Sequence, residues 1–425
     1  MSFSALRISI PSEKLNNLLK IDISKFYIFS KKSVAESCFS VGILIAYLGS
    51  LHPWFMWFLG ENYVIPASGL MFLGYLISNS TNDSFFKREK YIPAFILYFM
   101  LAYYIIIVGG QNFNSYIYNL FPLVIFFVLL KTNADFLDRT ATWLSKFMGI
   151  MLIPSMLFFI LYLMGFSLPS QHIEFNQYSY SNFFFFMILD GLETGIFIPR
   201  FHSVFLEPGH MGSATCLLLM TQMGKWKRWW NVVLLIASII SFSLAAYALL
   251  VALMFLNLWV QRKQIIKKVL LSITCIAAIV TMATFYNNGD NMVNALILAR
   301  LEIDESTGQI VGNNRVSKDF EKEFEEYIQT SDAFFGRDME KFPKGSGNSG
   351  YRVFIYQNGI VGLLLVVLFY GFSFRTYRDY RHLISVIIIS LLIFWIRGYP
   401  LWYSNFIPLL ATALQSRADS KTVSI

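Results

Sequence analysis

Along the chain, apolar stretches of roughly 15 to 22 residues recur between short polar interruptions, each near the length a helix needs to cross hydrocarbon about 30 Å thick. They lie at Val34 to Leu51, Val64 to Ser78, Tyr91 to Gly109, Tyr116 to Leu130, Phe147 to Phe166, Met211 to Gly224, Trp229 to Phe242, Leu244 to Val260, Val269 to Tyr286, Val353 to Phe372, Leu383 to Ile396 and Leu401 to Leu414. The pattern predicts an all-α polytopic membrane protein with about 12 transmembrane helices, since an alternating barrel pattern is absent from these runs. Two places bear on the count. Ser241 and Ser243 mark either a gap between two spans or one tilted helix followed by a re-entrant segment, and the final pair around Pro400 is short.

Composition agrees with that class: of 425 residues, 56% are hydrophobic, 17% aromatic and only 14% charged, well away from the mixture of a soluble domain. Charge placement orients the chain, because Lys and Arg are retained on the inner side of short loops. With the N-terminus inside, most of the 34 basic residues fall in inner tails and loops, whereas the short outer segments His52 to Tyr63 and Gly109 to Ser115 carry none. Both termini are therefore expected to be cytoplasmic, and the net charge of +8 is mostly topological rather than a nucleic-acid footprint.

The first thirty residues lack the pattern of a cleavable signal, and Lys14 to Lys32 reads equally as an amphipathic surface helix or a solvated tail. Cys38, Cys216 and Cys275 fall in or beside spans, so neither a disulfide nor a metal cluster is expected. No internal repeat suggests the inverted halves of a transporter. The expected organisation is a cytoplasmic segment (1–33), N-terminal spans (34–166), a first long outer segment (167–210), central spans (211–286), a second long outer loop (287–352), C-terminal spans (353–414) and a cytoplasmic tail (415–425).

Candidate chemistry concentrates in the two long outer segments. Arg200 to Gly212 holds an Arg, a Glu and two His in an otherwise charge-poor neighbourhood, where an ionisable group costs roughly 2.5 to 3.5 kcal/mol unless it faces water, a partner or a ligand. Arginine is always protonated and presents a planar fork of donors, so Arg200, Arg315 and Arg352 suit a diphosphate group. Glu207 is placed to take a proton from a hydroxyl, with His210 one helical turn further as the alternative base. Pro208 and Gly209 are expected to start a helix whose first N–H groups face an anion. Asn348 and Tyr351 are weaker binding candidates, and Asp190, Glu193, Tyr178 and Tyr180 are further polar side chains of the first outer segment.

Each residue also has a plainer account. Arg200 could snorkel to the interface, Arg315 could pair with Asp304 or Glu321, His202 could simply pack, Glu207 could serve only the helix dipole, and Gly345 to Gly350 could be an ordinary turn. Co-occurrence carries the functional account.

The stretch Arg200 to Gly212 resembles the R-x-x-S-x-F-x-E-P-G-H-x-G signature of O-antigen and exopolysaccharide repeat-unit polymerases, the Wzy-type members of the O-antigen polymerase and ligase superfamily. The later order is similar too: a serine-containing span (Ser241 to Leu250), an Asn-Asn-Arg element ending at Arg315, Phe335-Gly336, then Gly347-Asn348-Ser349-Gly350-Tyr351 leading into Tyr356-Gln357-Asn358-Gly359. The resemblance covers Tyr178 to Phe372. It implies a fold related to the GT-C glycosyltransferases and a multi-pass protein of the bacterial inner membrane. It also implies metal-independent, inverting polymerisation of undecaprenyl-diphosphate-linked oligosaccharide repeat units at the periplasmic face. Arg200 and Arg315 would hold the diphosphate and Glu207 would act as base, with no cofactor and no nucleic acid, in a lipid bilayer and beside a possible chain-length regulator.

Ligases of the superfamily place a His in the second loop near the following helix. The stretch Gly345 to Arg352 has none, which favours polymerase over ligase transfer to lipid A core. A flippase or other transporter would be expected to carry ionisable groups within its spans. A noncatalytic scaffold would tolerate loss of Arg200 and Glu207 together.

Overall fold

Every apolar run folds around an α-helix. The computed structural model describes residues 31–80, 86, 91–108, 118–175, 178–190, 199–261, 265–291, 293–303, 317–339, 342, 350–374, 380–397 and 399–414. Its helices are α1 (Lys31–Gly49), α2 (Val64–Ser80), α3 (Ile92–Val108), α4 (Leu120–Lys131), α5 (Ala134–Leu163), α6 (Pro208–Thr221), α7 (Trp229–Ile240), α8 (Leu244–Gln261), α9 (Ile265–Phe285), α10 (Lys318–Tyr327), α11 (Tyr351–Phe374), α12 (Tyr380–Arg397) and α13 (Tyr403–Leu414). All but α10 sit on the predicted runs. By length and composition, α5 and α11 are long and apolar enough to cross a membrane. A third candidate is the pair Ser33–Gly49 and Trp54–Ser80, bent by 105° at the intervening break.

Boundaries move where capping chemistry decides them. α5 begins at Ala134, well before the apolar run at Phe147, because the Asn133 side chain accepts from the Phe136 N–H at 2.9 Å and Asp135 favours the first turn. α6 starts at Pro208, a residue suited to the first helical position. Ser241 to Ser243 is a break between two helices, with Phe242 in the left-handed region at φ 45°.

The chain is mostly helical without being all-α. The first long outer segment carries a three-stranded antiparallel sheet of β1 (Gln171–Phe175), β2 (Tyr178–Asn182) and β3 (Met187–Leu189), in the order β1-β2-β3. Tyr-Ser-Tyr-Ser-Asn over β2 alternates large and small side chains, the period of a strand with one covered face. Tyr180 and Asn182 are its buried members.

α6 and α13 form the centre. Both are buried along their whole length and pack on each other and on α5, with α7 and α8 also against α6 and α1 against α13. A Cβ at Gly212 would lie 2.6 Å from that of Ala246, so the missing side chain permits close packing of α6 on α8. Thr215 and Ser238 hydroxyls meet at 2.8 Å between α6 and α7. Outward faces are apolar instead of polar. α5 exposes Ile150, Ile153, Leu157 and Ile160, and α12 exposes Ile384, Ile387, Ile388, Leu391 and Trp395. Those helical spacings form continuous stripes that a water-soluble bundle would cover.

The bundle has two chemically distinct ends. At one, basic side chains rest on aromatic rings: Lys131 lies 4.7 Å over Tyr75, Lys146 and Arg228 lie 5.0 and 5.2 Å over Trp230, and Arg381 lies 5.1 Å over Trp259. Arg139 reaches Glu36 there at 3.4 Å. At the other end, the start of α6 joins the turn after α1 through a Trp54 N–H to Val204 carbonyl bond of 3.0 Å, and joins the end of α7 through Phe201 N–H to Ile240 carbonyl.

Candidate functional site

Arg200 to His210 runs across that second end, pinned by its backbone. The Met187 N–H donates to the Ser203 carbonyl at 2.9 Å, tying the stretch to β3, while Trp54 and Ile240 hold it from two other sides. Ser203 is fully buried at φ 56°, a conformation that costs a non-glycine residue of order 1–3 kcal/mol. Of the six described non-glycine residues with positive φ, four (His52, Phe184, Ser203 and Phe242) lie in or beside this stretch, so the described backbone strain is concentrated here.

Glu207 is the residue immediately before α6 and is extended at φ −143°, ψ 150°. Its carbonyl accepts the first helical bonds, from His210 and Met211 N–H groups, and its side chain makes no capping hydrogen bond. The Glu207 charge acts on both Tyr180 and His202. Burial raises the Tyr180 phenol above its ordinary range, with Glu207 adding to the shift, and its hydroxyl donates to the Leu206 carbonyl at 3.2 Å.

His202 is 1% exposed, and its Nδ1 lies 2.5 Å from the Phe205 carbonyl. A carbonyl only accepts, so Nδ1 carries the proton and Nε2 the lone pair; Nε2 has no partner among the described residues. Burial pushes this imidazole down to about 4, while the Phe205 hydrogen bond and Glu207 oppose the shift and Arg200 adds to it. His202 is therefore neutral at pH 7, in keeping with a packing role.

The charge of Arg200 acts on an arginine that the sequence did not single out. Arg300, in a short 3-10 turn (Ala299–Leu301) after α9, donates from Nη1 to the Phe242 carbonyl at 3.3 Å. That anchors it at the break between α7 and α8, beside the Ile240 carbonyl that holds Phe201. Burial depresses the Arg300 guanidinium and the charge of Arg200 depresses it further. Both side chains are partly buried, and no carboxylate is among the described groups acting on Arg300. Two guanidiniums within electrostatic reach of each other present donor forks suited to a phosphate or diphosphate anion.

Other expected residues go elsewhere. Arg352 forms an ion pair with Glu321 of α10 and lies 5.8 Å over Phe324, joining α10 to the start of α11. Tyr351 packs 5.6 Å from Trp395. Neither has a described contact with Arg200 or Glu207. Arg315, Asn348 and Glu193 lie outside the described residues. Asp190 accepts from Ser181 at 2.8 Å and pairs with His172 at 3.2 Å on the sheet.

His210 enters a set of aromatic contacts that also escaped the sequence reading. It stands edge-on to Trp402 at 5.0 Å; Trp402 meets His52 at 6.0 Å, His52 meets Phe175 at 6.3 Å, Phe175 stacks on Trp57 at 4.5 Å, and Trp57 meets Tyr180 at 5.4 Å. Since Tyr180 is held beside Glu207, these contacts make a circuit that leaves the first turn of α6 and returns to it. Burial lowers the pKa of His52, opposed by the Glu61 carboxylate. A cavity of about 310 Å³ lined by Ser33, Glu36, Ser37, Ser40, Val41 and Trp143 lies at the opposite end of α1 and contains none of these groups.

Comparison with protein-family models, with curated proteins and with solved structures finds no match for this chain.

Proposed function

We propose that the protein is a membrane-embedded glycosyltransferase that polymerises undecaprenyl-diphosphate-linked oligosaccharide repeat units into O-antigen, capsule or exopolysaccharide. The observation that carries this reading is that the charges of Arg200 and Arg300 act on one another, with Arg300 anchored on the Phe242 carbonyl at the bundle end that holds the Glu207 loop. The apolar outer stripes support insertion in a bilayer. With about 12 crossings and the basic end cytoplasmic, the motif end faces the periplasm of an inner membrane and both termini are cytoplasmic.

The lipid-linked donor places its diphosphate between the two guanidiniums. A hydroxyl of the acceptor repeat attacks the anomeric carbon from the face opposite the diphosphate, forming the new C–O bond. The bond from that carbon to the diphosphate oxygen breaks with its electron pair, so configuration inverts. The hydroxyl proton passes to the Glu207 carboxylate, with His210 as the alternative acceptor. Charge grows on the leaving diphosphate, where fixed guanidiniums stabilise it more than they stabilise the ground state, so positioning and electrostatics suffice without a resident metal. Arg315 remains a proposed further phosphate ligand, and a chain-length regulator a proposed partner.

The test combines binding and product. Sodium pyrophosphate is expected to raise the melting temperature of the purified protein, and Arg200→Ala or Arg300→Ala to abolish the rise. In a polymerase-deficient host at matched membrane levels, Arg200→Ala, Arg300→Ala and Glu207→Gln are each expected to lower polymer output about 100-fold, leaving a single capped repeat in place of the ladder. A full ladder in all three would remove the catalytic reading.

A further inference from the structure

The aromatic circuit is more than packing. Core rings in this chain, such as Phe39, Phe126, Phe369 and Phe406, are at most 1% exposed, whereas Trp57, Phe175, Trp402 and His52 are only half-buried. Their accessible edges come from three separate segments, the turn after α1, β1 and the loop before α13, and lie beside the buried His210 ring in the first turn of α6 and one carboxylate.

Ligand chemistry follows from that mixture. An acyl chain gains nothing from His52, His210 and Glu207, and an anion is repelled by Glu207 and better served by Arg200 and Arg300. A neutral ring with C–H groups on one face and hydroxyls around its edge fits both halves: the C–H face lies on the negative face of an aromatic ring, and the edge meets imidazole and carboxylate.

We propose that His52, Trp57, Phe175 and Trp402, backed by the buried rings of Tyr180 and His210, form a pyranose subsite, which, on the polymerase reading above, holds the acceptor sugar with its hydroxyl edge toward Glu207. The two sites then divide the substrate. Arginines take the diphosphate of the donor, and the aromatic circuit takes the sugar that attacks it.

Saturation-transfer NMR on the full chain, in a detergent without a sugar headgroup, tests this with methyl glucoside, methyl galactoside and N-acetylglucosamine as probes. Ring C–H protons of at least one probe are expected to receive saturation. Trp402→Ala and Trp57→Ala should each reduce it about five-fold, Trp402→Phe should restore it, and Arg200→Ala with Arg300→Ala should leave it unchanged. If an alanine variant loses monodispersity, Trp402→Leu carries the same comparison while keeping apolar volume. No saturation of any probe, or equal saturation in the ring-deleted variants, overturns the subsite. Pyrophosphate titration of the same samples separates the two readings: its loss with sugar binding intact sinks the donor site alone, and the converse sinks the subsite alone.

Discussion

His202 shows how burial at one residue reaches the whole molecule's stability. Its folded pKa, pushed down to about 4, lies below the roughly 6.5 of an unfolded His. Between those values the unfolded chain binds more protons. The contribution of neutral His202 is therefore complete above about pH 6.5 and is lost as pH falls toward 4, a loss of about 2 kcal/mol at pH 5. His202→Gln is expected to shrink the drop in melting temperature between about pH 7.5 and about pH 5; an unchanged drop would assign it to other groups. At this scale the sequence shows Arg200, Glu207 and His210 because they share one short stretch. Arg300 is hidden among eight basic residues of a long loop, and only its bond to the Phe242 carbonyl distinguishes it.

At the scale of elements, α11 illustrates a helix broken to accept a neighbour. Gly359 sits inside it at φ 63°, and a Cβ there would lie 2.3 Å from the Phe334 carbonyl oxygen. Carbonyls around the kink are taken by other elements: Ile355 by the Tyr327 hydroxyl at 2.9 Å, Tyr356 by the Arg337 N–H at 2.7 Å, and Asn358 by the Tyr104 hydroxyl at 2.8 Å. The kink thus docks α10 and the turn after it onto α3 and α11. Gly359→Val combines a forbidden φ with a backbone clash and is expected to cost on the order of 3 kcal/mol, seen as faster proteolysis within 317–339 and poorer monodispersity; parent-like protection would refute the docking role. Twelve apolar runs were legible as helices because burial in a bundle and burial in lipid both favour uniform apolarity. The β1-β2-β3 sheet was not, because its alternation is confined to the five residues of β2 and lies among polar and aromatic neighbours.

For the molecule as a whole, the arrangement of ends makes a labelling prediction. In a background lacking Cys38, Cys216 and Cys275, Ser331→Cys is expected to react with an impermeant maleimide in right-side-out vesicles. Lys227→Cys, at the basic end, should react only after permeabilisation. Equal labelling of the two from outside would overturn the proposed orientation. The same arrangement explains how sites from distant segments meet: α6 and α13, buried throughout, bring the Arg200 to His210 stretch and Trp402 to one end of the bundle.

Apolar run length and charge bias by themselves determined the helical class, the position of nearly every helix and the motif at the head of α6, because each is a property of contiguous residues. Which arginine comes within electrostatic reach of Arg200, and which rings stand beside Glu207, was decided only by tertiary structure. Those relationships join residues up to a few hundred positions apart, and no local period or propensity records which helix ends pack together.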